Sequence, residues 1–417
     1  MDADKQPLRI GLIGFGCVGQ GFYDIVQAQP GLGLAIARIA VKSPNKTRTL
    51  PAERFSYHAD ELLHDPELDL LIEVIDDPDE AFRLVSAALR QGRRVVTANK
   101  AMLARHLPEL VQLQAEFGGT LLYEAAVCGS IPVIRTLDNY FSHEPLRSVS
   151  GIFNGSSNYV LTRMSEEGSD YGPALAEAQA KGFAETDPTL DMGAFDPRSK
   201  AVILAAHAYG VFLDADEVLN LGIEGIGAAD IVRAAARGRK IKVVAAVQRL
   251  PNGHVTAIVT PQLVGPESPL YTLEHEFNGV AIEAEYAGTQ FLTGRGAGGH
   301  PTGSAVLADV LALQRGLRYG YAKQADAPEA QLTTELEIDT YVSHPDASVL
   351  REVLTWLELP AEALRTDAHG AYATGAVAVQ QLWSWRKELR ANGVFIAREG
   401  GVRVAAPVAE ATAAAWA

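Results

Sequence analysis

The chain has 417 residues, of which 47% are hydrophobic and 21% are charged, and its formal net charge is −15. This length exceeds what one ordinary core accommodates, so we expect two or three globular domains. The negative charge argues against binding to nucleic acid and against docking on an anionic membrane, so we predict neither as a partner.

The first predicted element is a buried strand at residues 8–13, which leads into a glycine-rich turn and then a helix. The six residues of this GxGxxG turn are Gly14, Phe15, Gly16, Cys17, Val18 and Gly19. Between a strand and a helix, the pattern is typical of dinucleotide binding, because glycines let a pyrophosphate approach the backbone at the helix N-terminus. We therefore predict that these six residues bind a dinucleotide; the alternative is a purely structural turn.

A second strand is predicted at residues 34–41, and basic residues follow it. Lys42, Lys46 and Arg48 lie where NAD-preferring sites usually carry an acid that binds the ribose 2′-hydroxyl. Basic groups suit a 2′-phosphate instead, so we predict NADP as the cofactor, with Lys42 as a ligand and NAD as a possibility. A solvated loop is the alternative.

Further strands are predicted at residues 68–75 and 93–98, with a helix at 79–91 between them. This alternation predicts a doubly wound parallel sheet, in which ligands bind beyond the carboxyl ends of the strands. Lys100 follows the strand at 93–98 and is therefore predicted to face that crevice. An ordinary loop lysine is the alternative.

The most informative segment is residues 182–200, GFAETDPTLDMGAFDPRSK. Asp196 and Lys200 are four residues apart and share one face of a predicted helix. The next thirteen residues contain no Asp, Glu, Lys or Arg, so this helix is predicted to be buried. Because a buried charge is costly unless it has a partner or a function, we favour a functional site over a surface ion pair.

Several segments together resemble the homoserine dehydrogenase family. Residues 8–19, 97–101 and 182–200 match its dinucleotide turn, its TANKA segment and its acidic loop. EAAVCGSIP at 124–132 is similar to the family's EAxVxGGIP, and GIFNGSSNY at 151–159 is similar to its GIxNGTTNYI. The return segment at 294–306 is similar to GxGAGxxPTASAV. The resemblance covers about residues 8–320 and departs from the family at Asp76-Asp77, where a glycine pair is usual.

The resemblance implies reversible, NAD(P)-dependent reduction of L-aspartate 4-semialdehyde to L-homoserine, in threonine, methionine and isoleucine biosynthesis. It implies an α/β fold in which a Rossmann-type dinucleotide-binding domain spans residues 1–124, with 297–320 returning to it. An α+β catalytic and dimerisation domain spans 125–296. The order of strands and helices at 330–410 resembles the small ACT-like α+β domain that many members carry. The expected assembly is a homo-oligomer, a dimer or a tetramer.

By motif position, the resemblance implies that Lys200 is the catalytic acid or base and that Lys100 reaches the substrate hydroxyl and the cofactor. The residues implied to hold the substrate are Glu185, Asp196, Asp191 and Gly182. Gly296 and Gly298, in the return segment, are predicted to bind the cofactor. The family also binds a monovalent cation, sodium or potassium. Its implied ligands are the Glu124 carboxylate and the carbonyls of Val127, Gly129 and Ile131.

Elementary chemistry agrees with these roles. Hydride arriving at an aldehyde carbon leaves negative charge on oxygen, which needs a neighbouring cation and then a proton. Two lysines supply both, and burial can lower an ammonium pKa towards neutral pH. For single residues other interpretations stay open: Asp191 as a helix cap, and Glu124 as the partner of a neighbouring side chain.

Two other functions compete with this one. An aspartate-semialdehyde dehydrogenase needs a nucleophilic cysteine, but Cys17 lies in the dinucleotide turn and Cys128 in the predicted cation loop. A catalytically inactive sensor of NADP and amino acids would not need two lysines and three acids.

The two cysteines provide no disulfide framework, and neither a signal peptide nor an apolar run of about 20 residues is present, so we expect a cytoplasmic protein.

Overall fold

The computed structural model describes residues 6–326 and 331–404. Its first sheet is parallel and contains six strands: β1 (Leu8–Ile13), β2 (Leu34–Ala40), β3 (Phe55–Ser56), β4 (Leu70–Glu73), β5 (Arg94–Thr97) and β6 (Thr120–Leu122). The order across the sheet is β3-β2-β1-β4-β5-β6. This is the strand order of a Rossmann dinucleotide-binding sheet, so the predicted doubly wound fold is confirmed.

Four helices connect these strands: α1 (Cys17–Ala28), α2 (Ala59–Leu63), α3 (Pro78–Arg90) and α4 (Lys100–Phe117). Ten more follow along the chain: α5 (Val133–Arg135), α6 (Gly155–Glu167), α7 (Tyr171–Ala180), α8 (Thr189–Met192), α9 (Phe195–Tyr209), α10 (Ala228–Ala236), α11 (Gly299–Gln314), α12 (Ala322–Asp326), α13 (Ala347–Trp356) and α14 (Val379–Ala391). None of the described helices is long and apolar enough to cross a membrane.

Helix α11, predicted from the return segment, packs directly on α1. A Cβ atom on Gly21 of α1 would lie 2.2 Å from the carbonyl of Gly299, and one on Gly303 would lie 2.6 Å from the backbone of Phe22. The two helices therefore touch through their backbones. This contact holds the chain after the second sheet against the helix that begins at the GxGxxG turn.

The second sheet is mixed and contains ten strands: β7 (Leu146–Ile152), β8 (Leu219–Asn220), β9 (Lys240–Arg249), β10 (Val255–Val264), β11 (Phe277–Ala284), β12 (Gly288–Arg295), β13 (Leu336–His344), β14 (Arg365–Asp367), β15 (Gly370–Ala378) and β16 (Phe395–Val404). Nine follow the order β12-β11-β7-β9-β10-β16-β13-β15-β14, and β8 pairs with β10. The β8–β10 and β10–β16 pairs are parallel and the others antiparallel.

The last six elements, β13-α13-β14-β15-α14-β16, form a ferredoxin-like unit with the sheet order β14-β15-β13-β16. The sequence predicted this architecture except for the short, exposed β14. Residues 330 and 405–410 of the predicted ACT-like range lie outside the described residues. The unit continues the second sheet, because Arg398 of β16 pairs with Gln262 of β10. We retain the predicted domain boundaries as a proposal.

Helix α9 lies at the centre of the molecule. Its residues from Lys200 to Tyr209 are all buried, and it packs on β9, β10 and α4. The uncharged sequence after Lys200 explains this position, because apolar side chains cover the whole circumference of the helix. Ala194, which precedes the helix, has a φ of +60°, and Gly210 ends it with a φ of +70°. The predicted burial of this helix is therefore confirmed.

Candidate active site

A cavity of about 500 Å³ lies between the two sheets, beyond the carboxyl ends of β1 and β5. The GxGxxG turn with the start of α1, the first residues of α4 and α6, helix α9 and residues 295–298 border it. It occupies the place where parallel sheets of this order bind dinucleotides. Both predicted catalytic lysines reach it.

An ion cluster of Lys100, Asp196 and Lys200 forms one wall of the cavity. Lys200 Nζ donates to Asp196 Oδ2 at 2.7 Å and to the Phe153 carbonyl at 2.6 Å. Lys100 Nζ lies 2.6 Å from the other carboxylate oxygen, Oδ1. The side chain of Lys200 is 8% exposed and that of Lys100 is 44% exposed. One lysine is thus enclosed in protein, whereas the other borders open space.

The charges of the cluster stabilise one another. Burial alone would raise the pKa of Asp196, but the ammonium groups of Lys100 and Lys200 outweigh it and hold that pKa below its usual range. The negative charge of Asp196 raises the pKa of Lys100 in return, against the effect of burial. Burial does act to lower the pKa of Lys100, but a carboxylate in direct contact outweighs this desolvation.

Asn154 joins two of the predicted acids and was missed as a site residue in the sequence. Its Nδ2 donates to Asp191 Oδ1 at 2.7 Å and to Asp196 Oδ2 at 2.9 Å, while its Oδ1 accepts from the Ser157 amide and caps α6. Burial and the neighbouring Asp196 raise the pKa of Asp191. Asp191 lies inside α8 rather than at its cap. The only signal for Asn154 was its place in the GIFNGSSNY segment.

The other two residues predicted to hold the substrate border different cavities. Glu185 is exposed and borders a second cavity of about 530 Å³, which Lys100 and Asp196 also line. Its charge nevertheless contributes to the raised pKa of Lys100. Gly182 borders the first cavity with a φ of +76°, a conformation that favours glycine. The structure therefore does not bring Glu185 into contact with Lys200 in the first cavity.

The three glycines of the GxGxxG turn differ in what a side chain at each position would contact. A Cβ on Gly14, whose φ is +103°, would lie 2.6 Å from the Val74 carbonyl, and one on Gly19 would lie 2.3 Å from the Gly14 carbonyl. Gly16 faces open space directly before α1. Gly14 and Gly19 therefore have no room for a side chain, whereas Gly16 leaves the backbone accessible at the start of α1, where a pyrophosphate would bind.

The other predicted cofactor residues differ in their surroundings. The Cys17 and Val18 positions border the cavity, whereas the Phe15 ring is buried against Tyr23 and Phe55 and offers only its backbone. Gly296 and Gly298 border the cavity too, and Gly298, with a φ of +112°, precedes α11. The Lys42 side chain is 91% exposed, and its Nζ lies 3.9 Å from Asp77 Oδ2.

The predicted cation loop contains a buried carboxylate that already has partners. Glu124 Oε1 accepts from the Ile134 amide at 2.8 Å, and Oε2 accepts from the amide of Arg135 at 2.9 Å and from its Nε at 3.3 Å. Arg135 also donates to Asp309 Oδ1 at 2.8 Å. Burial raises the pKa of Glu124, and burial together with the charge of Glu124 raises that of Asp309 to about 7.

Of the three carbonyls predicted as cation ligands, the one on Ile131 accepts from the Val133 amide at 2.8 Å. Val127 is buried, and Gly129 has a φ of +53° and lies against Gly296. No group of three His, Cys, Asp or Glu side chains able to hold a metal occurs within 6–326 and 331–404. A cation bound here would therefore need main-chain oxygens in addition to the Glu124 carboxylate.

The ferredoxin-like unit reaches the helix that carries the ion cluster. Arg390 of α14 lies 4.9 Å from the centroid of the Phe195 ring, and its Nη2 donates to the Gly193 carbonyl at 3.4 Å. Its Nε lies 3.3 Å from Glu224 Oε1. Gly193 and Phe195 flank Ala194, the residue with positive φ before α9. The C-terminal unit therefore contacts the start of the active-site helix.

Two family models match the chain. One, described as the NAD binding domain of homoserine dehydrogenase, matches residues 14–124, and one described as homoserine dehydrogenase matches residues 132–311. The homoserine dehydrogenase of Mycobacterium tuberculosis is 36% identical over 343 residues, which are 80% of this chain and 78% of that one. That of Corynebacterium glutamicum is 36% identical over 381 residues, 87% and 85% of the two chains.

Solved structures agree with these matches. A homoserine dehydrogenase from Thiobacillus denitrificans has a TM-score of 0.81 and 25% identity, covering 94% of this chain and 98% of that one. One from S. aureus has a TM-score of 0.70 and 28% identity, covering 95% and 99%. A hyperthermophilic archaeal homoserine dehydrogenase in complex with NADPH has a TM-score of 0.63 and 26% identity, covering 75% and 99%. The chain therefore belongs to the homoserine dehydrogenase family of NAD(P)-dependent oxidoreductases that act on a CH–OH group.

Proposed function

We propose that the chain interconverts L-aspartate 4-semialdehyde and L-homoserine with NADP, and that the ion cluster performs the proton chemistry. The observation that carries this proposal is the position of Lys100, Asp196 and Lys200. They line the same cavity as Cys17 and Val18 of the GxGxxG turn. A bound nicotinamide supplies or accepts the hydride.

Lys200 is the proposed acid or base. Two of its three N–H groups are engaged by Asp196 and the Phe153 carbonyl, which leaves one for a substrate oxygen. During reduction, negative charge develops on the carbonyl oxygen, and a charged ammonium group in a largely water-free site stabilises it strongly. Lys200 then donates its proton to that oxygen, and in the reverse direction it takes the proton from the hydroxyl group.

Lys100 and the acids have positioning roles in this proposal. Lys100 is kept protonated by Asp196, so it suits binding of the substrate oxygen and the cofactor better than acting as a base. The α-ammonium group of the substrate needs a carboxylate partner, and Asp191 lines the first cavity together with Lys100 and Lys200. Glu185 would act from the second cavity, which Lys100 also lines. Gly182 would contribute its backbone.

The proposed preference for NADP rests on Lys42 and the basic residues after β2. Lys42 is almost fully exposed and so is free to reach a ligand, although the nearby Asp77 competes for its charge. Because the attraction is between exposed groups, we expect it to be modest and to weaken with salt.

A monovalent cation is proposed at Glu124 with the carbonyls of Val127, Gly129 and Ile131. The charges support it: the two buried carboxylates of Glu124 and Asp309 face one guanidinium group, that of Arg135. The cluster therefore has an excess of one negative charge when both acids are ionised. One added positive charge balances it, which suits sodium or potassium better than a divalent ion.

We also propose a homo-oligomer, a dimer or tetramer, in the cytoplasm. Strand β12 is an edge of the second sheet and is open to pairing, and a homo-oligomer is what the family resemblance implies. Both cysteines are free, as a reducing compartment requires.

The proposal is tested by initial rates of homoserine oxidation with NAD and with NADP, each with and without threonine. We expect turnover with both cofactors, faster at low concentrations of NADP than of NAD. Cofactor binding without any turnover would contradict the proposal and favour the sensor. Inhibition by threonine that excess homoserine does not relieve would point to an effector site outside the active site, with the ferredoxin-like unit as the candidate.

A further inference from the structure

Glu73 is a buried acid that the proposed mechanism does not use. It is the last residue of β4 and is 1% exposed. Its Oε2 accepts from the Thr97 hydroxyl at 2.5 Å and its Oε1 from the Ile75 amide at 2.7 Å. An acid is seldom buried without a cation partner unless its hydrogen bonds fix something important.

These bonds belong to a closed ring across two strand ends. The Asn99 amide donates to Thr97 Oγ1 at 3.0 Å, and Asn99 Nδ2 donates to the Ile75 carbonyl at 3.2 Å. Asn99 Oδ1 in turn accepts from the Met102 amide at 3.0 Å and caps α4. The ring thus joins the turn after β4 to the turn after β5, and Lys100 is the next residue along the chain.

We propose that Glu73 is a positioning residue, whose carboxylate locks the two turns together and so sets where Lys100 begins helix α4. The inference rests on the proposed function, because Lys100 is taken there as the residue that binds the substrate oxygen. Glu73 itself touches neither substrate nor cofactor and acts through Thr97 and Asn99.

Protonation of Glu73 would disturb the ring. The Thr97 hydroxyl donates to Glu73 Oε2 while its own oxygen accepts from Asn99. A proton on Oε2 would face the hydroxyl proton, so the hydroxyl must turn its own proton away and accept from Glu73 instead. The short bond to a charged carboxylate then becomes a weaker bond between neutral groups. The groups that face Glu73 are neutral: Ile13 from β1, Thr97 from β5, Ile75 and Asn99. With no opposing cation among them, burial raises the pKa of Glu73 to about 7.

The test compares wild type with Glu73→Gln, which keeps the shape but stays neutral at every pH. We expect kcat for homoserine oxidation to fall about ten- to hundredfold above pH 8, because small displacements of a catalytic group are costly. The ratio of wild-type to variant rate should rise with pH through about 7. Taking the ratio cancels every titration that the two proteins share, including that of Asp309.

Two further variants separate positioning from general stability. Thr97→Val breaks the same ring with a side chain of similar shape, and its effect should not add to that of Glu73→Gln. Glu116→Gln, an exposed acid on the same helix α4, is the matched control and should change nothing.

A flat rate ratio, or folded Glu73→Gln and Thr97→Val variants with wild-type kcat, would overturn the inference. If Glu73→Gln does not fold, Thr97→Val alone decides. A wild type that never turns over homoserine would instead overturn the proposed function.

Discussion

Two ion clusters lie close to the cavity, and one has a net positive charge whereas the other has a net negative charge. In the first, Lys100 and Lys200 surround Asp196, whose pKa is lowered by these cations. In the second, Glu124 and Asp309 share Arg135, and both carboxyl pKa values are raised. The first cluster borders open space and, in our proposal, stabilises a negative oxygen of the substrate. The second is enclosed and, in our proposal, binds a monovalent cation, so the two clusters are proposed to serve opposite chemistry.

The largest effect is expected from removing a lysine of the first cluster. Lys200→Met keeps the length of the side chain and leaves Asp196 paired with Lys100. We expect kcat to fall about 10²–10⁴-fold, the usual contribution of a positioned acid or base. NADPH binding, followed by its fluorescence, should persist. Lys387→Met, at an exposed lysine of α14, is the control. A fall in kcat of less than about tenfold would contradict a catalytic role for the first cluster and would mean that both clusters are structural.

Removing the guanidinium group of Arg135 from the second cluster should lower the stability of the folded chain. Arg135→Met leaves Glu124 and Asp309 buried without their partner, which costs about 3–5 kcal/mol of unfolding free energy. Arg163 is a matched control, because its side chain is 21% exposed against 25% for Arg135, yet the acids it meets are much more exposed. Arg163→Met should cost about 1 kcal/mol or less. Equal shifts in urea midpoint for both variants would contradict the buried cluster.

The last expected effect is a pH dependence of stability. The pKa of Asp309 is about 7 in the folded chain and 3.8 without the fold, so the folded state binds more protons between these values. Stability should therefore fall as pH rises from about 4 to 7 and then level off. Asp309→Asn lacks this contribution, so its melting temperature should differ less from pH 5 to pH 8. Sodium should reduce the wild-type difference more than a bulky organic cation at equal ionic strength.

The fold was largely predictable from local patterns. Apolar runs followed by turns marked β1, β2, β4 and β5, and the uncharged run after Lys200 marked a buried helix. The strands β3, β6 and β14 have two or three residues and carry too little pattern to be recognised. The pairing of β16 with β10 could not be predicted either, because no local signal specifies which edge a distant strand joins.

The types of residue in the site could be predicted from the sequence, but the contacts among them could be predicted less well. Lys100 and Lys200 are about a hundred residues apart in sequence, yet both contact Asp196. The sequence could not show that this acid would raise the pKa of Lys100, since the sign depends on a contact rather than on burial. It also could not show that Glu185 lies in a neighbouring cavity. The roles of these residues stay predictions.

The junction between β10 and β16 has a consequence for any shortened form of this chain. The core of the ferredoxin-like unit includes Leu219, Leu221, Leu250 and Ile258, which come from before β13. Ending the chain before β13 would expose these four side chains and free part of the β10 edge, a combination that promotes aggregation. A truncated enzyme, whether engineered or evolved, would therefore need polar replacements at these positions before it could remain dispersed in water.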